Sequence, residues 1–249
     1  MTNIGVNFRK RGYPEEWLSS TFVIASWGNG IVAICAGFVA QIAADWGGDI
    51  GPFQVAILLT VVALFLILTW TENYGECHNE GRSDGKRGSA SAEMAHSIQS
   101  SLAVVWKYPV IFCLGMSQAF FEGAVYTFVF MWVPSMLELM QDDALPTGLV
   151  FSAFMLSMTA GGMLFGLIFP LFPGGASALC ALVFALSAGA MAVPVFKFEF
   201  WWVFAAFLVL EGMLGMFNSC GATLRSIYFP EGLQSSIMSI FRLPLNLLV

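Results

Sequence analysis

Glu122 lies in QAFFEGAVYTFVFMWVP, inside a run that carries no other charge from Val110 to Leu137. A carboxylate at the centre of an apolar helix costs about 2.5 to 3.5 kcal/mol on insertion scales, so a partner or a function must offset it. Residues four apart share one face of a helix. Gln118, Glu122 and Tyr126 form such a stripe, and Glu211, Asn218 and Arg225 form a second at heptad-like spacing. A third stripe, Ser235, Ser239, Arg242 and Asn246, runs along the last apolar stretch. Acids placed this way can carry a proton or pair with a cation. Arginine, weakly hydrated and with its donors forked in a plane, suits a multivalent oxyanion better than lysine does.

Each residue also has a plainer reading. Glu122 and Glu211 fit protonated, hydrogen-bonded packing groups as well as a substrate or proton role. Arg225 fits an anchor at the membrane interface, whereas Arg242 lies two turns inside its run and is expected to point into a bundle. Asn29 in SWGNG fits a bond to a neighbouring helix, and Gly162 and Gly166 in AGGMLFG fit close helix packing. Both glutamates open the pattern E-G-x-x-x-x-F, as EGAVYTF and EGMLGMF. That match suggests an internal three-helix repeat of the kind from which secondary transporters are built.

The elements that hold these stripes are membrane spans. The 249 residues are 58% hydrophobic and 10% charged, with mean hydropathy +0.78, whereas soluble domains carry roughly 25% charged residues. The expected class is an all-α polytopic membrane bundle immersed in the lipid bilayer. Apolar runs at 18–44, 53–71, 109–134, 147–170, 175–196 and 199–222 give six spans of the required length of about 20 residues. A seventh run begins near Gln234 and stops at Val249, so the expectation is that the chain is a fragment. Residues 1–71 form one part with two spans, 72–106 a hydrophilic linker, and 107–249 a part with four spans and a truncated fifth. Within the linker, Met94, Ile98, Leu102 and Val105 recur at helical spacing and predict a short interfacial helix before Pro109.

Arg9, Lys10, Arg11, Arg82, Lys86, Arg87, Lys107, Arg225 and Arg242 all fall on one side of an alternating topology, and only Lys197 falls opposite. The positive-inside rule makes that side cytoplasmic and turns the acidic loop with Asp142 and Asp143 outward. Nucleic-acid binding has no support in a net charge of −6. No cofactor or metal is implied: the five cysteines lack CxxC spacing, and His78 and His96 have no partners at ligand spacing. GRSDGKRGS lacks the spacing and preceding strand of a phosphate loop. With no nucleophile and base in a pair, an enzyme is not expected.

Four segments taken together, PEEWLSSTF, TENYGE, QAFFEGAVYTFVFMWVP and LRSIYFPEGLQSSIMSIFRLPLNLL, resemble the molybdate-anion transporter family of the major facilitator superfamily. The resemblance covers nearly the whole chain. It implies that the spans correspond to helices five to ten and the start of eleven, with 72–106 as the cytoplasmic link between two halves. It further implies uptake of molybdate, a tetrahedral oxyanion, across the plasma membrane, with a site between the halves. In that setting Arg242 fits the counter-charge, and Glu122 and Glu211 fit proton coupling or pairing to arginine. Two other functions stay open: a facilitator for a neutral solute such as a sugar, using Gln118, Tyr126, Trp132 and Asn218, and a membrane interaction protein that transports nothing.

Overall fold

The computed structural model describes residues 15–69, 90–140, 145–196, 199–230 and 233–248. Arg9, Lys10, Arg11, Arg82, Lys86, Arg87, Lys197, Asp142, Asp143, Cys77, His78 and the side chain of His96 lie outside the described residues, and with them most of the charge pattern that orients the chain.

The described residues form eight α-helices and no strand. They are α1 (Glu15–Gly47), α2 (Gly51–Leu68), α3 (Ala90–Lys107), α4 (Pro109–Met140), α5 (Thr147–Ile168), α6 (Gly175–Ala192), α7 (Phe200–Tyr228) and α8 (Gln234–Leu248). The six expected spans are α1, α2, α4, α5, α6 and α7. The predicted linker helix is α3, and the seventh run is α8.

One apolar stretch, Trp27–Leu68, extends over 42 residues. As a single helix it would measure about 63 Å, twice a bilayer core. Instead the chain reverses at Gly48, whose φ of +65° only glycine adopts readily. Gly51 then lies directly against the Ala43 backbone, where any Cβ would collide. A continuous helix would hold those two residues about 12 Å apart.

Three helices outrun their expected ends, α1 by one turn to Gly47 and two others further. α4 passes through Pro134 to Met140. Proline removes one intrahelical bond, and membrane helices tolerate this because neighbouring groups re-satisfy the freed carbonyl. α7 continues past residue 222 to Tyr228, where the N–H of Phe229 closes the last turn on the Arg225 carbonyl at 2.9 Å. Arg225 is therefore part of the helix and not of the loop behind it.

The chain divides into two compact units. The first gathers α1, α2 and α5 as far as Leu156. There the Ser152 hydroxyl donates to the Ile34 carbonyl at 2.9 Å, and the Gly148 N–H donates to Gln41 Oε1 at 2.9 Å. The second unit gathers α3, α4, α5 from Ser157, α6, α7 and α8. Its core joins Phe121 of α4, Leu179 and Val183 of α6, and Met216, Phe217 and Leu224 of α7. A smaller cluster, Val105, Ile111, Phe229, Ile237 and Phe241, seats α3 and α8 against the start of α4. Much of the rest is apolar and exposed, as on Phe53, Leu58, Phe65 and Leu68 of α2. Such a surface needs lipid or further helices against it.

Candidate functional site

The polar stripe of α4 meets α7. Two ring contacts fix their register: Phe121 on Phe217, with centroids 4.5 Å apart, and Phe128 on Phe207 at 5.0 Å. Numbering rises along one helix as it falls along the other, so the two are antiparallel. Glu122 and Glu211 come to within about one helical turn of the same level.

Gln118 and Glu122 lie one turn apart on α4, and Gln118 Nε2 donates to Glu122 Oε1 at 2.7 Å. From α7, Arg225 Nη1 donates to Gln118 Oε1, also at 2.7 Å. The result is a relay of guanidinium, amide and carboxylate across the helix interface. Gln118 is buried at 8% exposure, while Glu122 and Arg225 are half-buried. The Glu122 carboxylate is also within electrostatic reach of the guanidinium. Gly221, one turn before Arg225, leaves room for this: a Cβ there would stand 3.2 Å from Arg225 Nη1. Sequence reasoning passed over Gly221, although its place four residues before a cation in an apolar helix was the available signal.

Glu211 belongs to a different environment. It is 5% exposed, and its Oε2 has no hydrogen-bond partner among the described residues. The next residue, Gly212, lies at a close crossing of α7 with α5. A Cβ on Gly161 would lie 2.6 Å from the Gly212 carbonyl carbon and 2.9 Å from its Cα. Nearby, the Ser157 hydroxyl donates to the Leu208 carbonyl at 2.6 Å. Of the two glycines expected at a close crossing, Gly162 takes part, its backbone N standing 3.0 Å from where a Cβ on Gly215 would lie, whereas Gly166 has nothing of the described residues within 4 Å. Gly161 against Gly212 and Gly215 against Met158 make the tightest contacts.

The other expected site residues are dispersed. Tyr126 continues the α4 stripe but is exposed and makes no hydrogen bond to a described residue. Asn218 is exposed on α7, and Asn29 is exposed on α1 in the first unit. Arg242 is exposed on α8, along with Ser235, Ser239 and Asn246 of its stripe. Its neighbour Phe241 is the buried one, its ring filling the place where Gly115 of α4 lacks a side chain. That contact sets the rotation of α8 and turns Arg242 outward from the unit.

A cavity of about 370 Å³ opens between α4, the end of α6 and α7, lined by Thr127, Phe128, Met131, Trp132, Ser135 and Phe207 among others. It carries no charged side chain. Among the described residues no three of His, Cys, Asp and Glu come together as they would to hold a metal.

A protein-family model described as sugar transporters with 12 transmembrane segments matches residues 4–224. Three similar proteins carry the name molybdate-anion transporter. That of Takifugu rubripes is 30% identical over 95% of this chain and 52% of its own length. The Xenopus laevis protein is 30% identical over 95% of this chain and 50% of its own length. The Danio rerio protein is 30% identical over 95% and 52%. The chain thus spans about half the length of the curated relatives it matches. No solved structure matches it. With a family match over most of its length and six membrane-length helices in the expected order, the chain belongs to the major facilitator superfamily, in the family described as sugar transporters with 12 transmembrane segments.

Proposed function

We propose that this chain forms part of a secondary transporter in the plasma membrane that takes up molybdate or a related tetrahedral oxyanion by alternating access. The observation that carries the reading is Arg225, a guanidinium drawn back into the bundle and held at 2.7 Å by Gln118. A guanidinium has five N–H donors, and this bond uses one of them. The others suit an oxyanion, which only accepts. A desolvated dianion requires compensating positive charge, and a fixed arginine supplies it with directional contacts. The polar face of α8 would add Arg242 as a second cation wherever that face borders the solute path.

Coupling to protons would fall to Glu211. Its carboxyl is buried in α7 beside the crossing with α5, and its Oε2 has no hydrogen-bond partner among the described residues. As α5 and α7 move apart during a transport cycle, water would reach the carboxyl and allow it to ionise. The names carried by the relatives support the anion as solute.

A neutral solute is the second reading. The family description and the uncharged cavity with Thr127, Trp132 and Ser135 favour it. One comparison separates the two. Cells lacking their own molybdate uptake would express the chain or Arg225→Gln at matched surface abundance, with uptake of molybdate and of a panel of sugars read by mass spectrometry. Loss of molybdate uptake in the variant supports the anion reading. Molybdate uptake unchanged by the substitution refutes it, and sugar uptake unaffected by it supports the alternative.

A further inference from the structure

We infer that Gln118 is a spacer that keeps Arg225 available to an anion by preventing Glu122 from neutralising it. The inference rests on the anion reading of Arg225 and deepens it. Three facts carry it. Gln118 accepts from Arg225 through Oε1 and donates to Glu122 through Nε2, each bond at 2.7 Å. It is buried, so its amide has little water to turn to instead. The carboxylate and guanidinium nevertheless sense each other electrostatically across it.

An amide side chain offers a donor to a carboxylate and an acceptor to a guanidinium on two separate atoms, and glutamine is long enough to reach both. A serine at this position would be too short, and a second carboxylate would repel Glu122. An apolar residue would leave two half-buried opposite charges with nothing between them. Both side chains are long enough to close that gap, and a direct pair in a low-dielectric setting is strongly attractive. A closed pair would occupy the fork that the oxyanion needs. The amide therefore allows the bundle to hold both charges without their cancelling. The amide also has a consequence for binding, since an anion arriving at Arg225 has to displace one hydrogen bond to an uncharged acceptor and not a salt bridge.

The experiment uses the purified chain in lipid nanodiscs, with molybdate as the probe in equilibrium dialysis read by mass spectrometry. Gln118→Leu preserves bulk and removes the bridge, and should weaken binding on the order of tenfold, because the anion must then compete with Glu122 for Arg225. Adding Glu122→Gln to that background removes the competing carboxylate and should restore affinity to within about threefold of the wild type. A double variant as weak as Gln118→Leu alone overturns the spacer role and makes Gln118 a direct ligand or a packing residue.

A second measurement needs no ligand. Thermal unfolding of Glu122→Gln, Arg225→Gln and their combination gives the coupling between the two charges, first with Gln118 present and then with Gln118→Leu. The coupling should at least double in the second background, and equal coupling in both overturns the inference. Failure of the wild type to bind molybdate would refute the anion reading alone, because the coupling measurement stands independently of it.

Discussion

Gly161→Ala adds one methyl group where α5 crosses α7, at a point the sequence had not distinguished from its glycine neighbours. The new Cβ would stand 2.6 Å from the Gly212 carbonyl carbon and 2.9 Å from its Cα, where 3.4–4 Å is ordinary contact. The obstacle is backbone, which cannot rotate away as a side chain can, so the helices must separate by roughly 1 Å. Overpacking of this kind costs about 1–3 kcal/mol. Gly166→Ala, one turn and a half away on the same helix, has nothing within 4 Å. It should be neutral, or stabilise by the roughly 0.5–1 kcal/mol that alanine gains over glycine in a helix. At about 2–4 °C per kcal/mol for a chain of this size, Gly161→Ala should lower the unfolding midpoint by about 2–12 °C. The assay is thermal unfolding of purified protein in one detergent, followed by tryptophan fluorescence. Equal midpoints for the two variants would refute the crossing and, with it, the proposal that separation of α5 and α7 admits water to Glu211.

Four further outcomes follow from the same geometry. Arg225→Lys keeps the charge but loses the planar fork, so the dissociation constant for molybdate should rise by roughly 10- to 100-fold while Arg225→Gln abolishes binding; equilibrium dialysis checks this. Glu211→Gln fixes the side chain in its neutral shape, so it should fold normally and remove any rise of molybdate uptake on acidification; an unchanged pH profile would take the proton role from Glu211. Gly115→Val intrudes on the Phe241 ring and should alter the reactivity of a cysteine introduced at Arg242 without changing one introduced at Tyr126. Arg242→Gln should lower molybdate uptake less than Arg225→Gln does, and the reverse order would make α8 the main anion-binding face.

Hydropathy made the spans legible because a bilayer imposes one simple demand, about 20 apolar residues per crossing, and these helices meet it by composition. The ends were less legible. Pro134 read as a stop, yet α4 continues to Met140, since proline only weakens a helix whose neighbours can supply the missing contacts. The reversal at Gly48 was anticipated as a gap between two runs, but its sharpness depends on Gly51 fitting against Ala43, a three-dimensional contact between residues with no distinctive types. The glycines of α5 show the same limit. AGGMLFG announces a close crossing somewhere, and which glycine makes it depends on the rotation of the helix by less than one residue.

The site divides along a similar line. Spacing alone brought Gln118 to Glu122, because a partner one turn away on the same helix is fixed by the period of 3.6. The cation that joins them is a question about two helices, and there the stripe pattern pointed to Arg242 as the inward charge. Arg225 sits in the last turn of α7, where a basic residue is commonly satisfied by the helix dipole and the interface. A long side chain in that position can snorkel outward or fold back along its own helix, and the sequence alone gives both choices the same residues. What tips Arg225 inward is the absence of a side chain at Gly221 together with the antiparallel register set by Phe121 on Phe217, which offers the Gln118 carbonyl oxygen as acceptor. Arg242 has the opposite situation: its neighbour Phe241 claims the notch at Gly115, and the guanidinium is carried to the exposed face. The inward cation is thus selected by where glycine leaves room on the partner and on its own helix, more than by the polarity of the stripe to which it belongs.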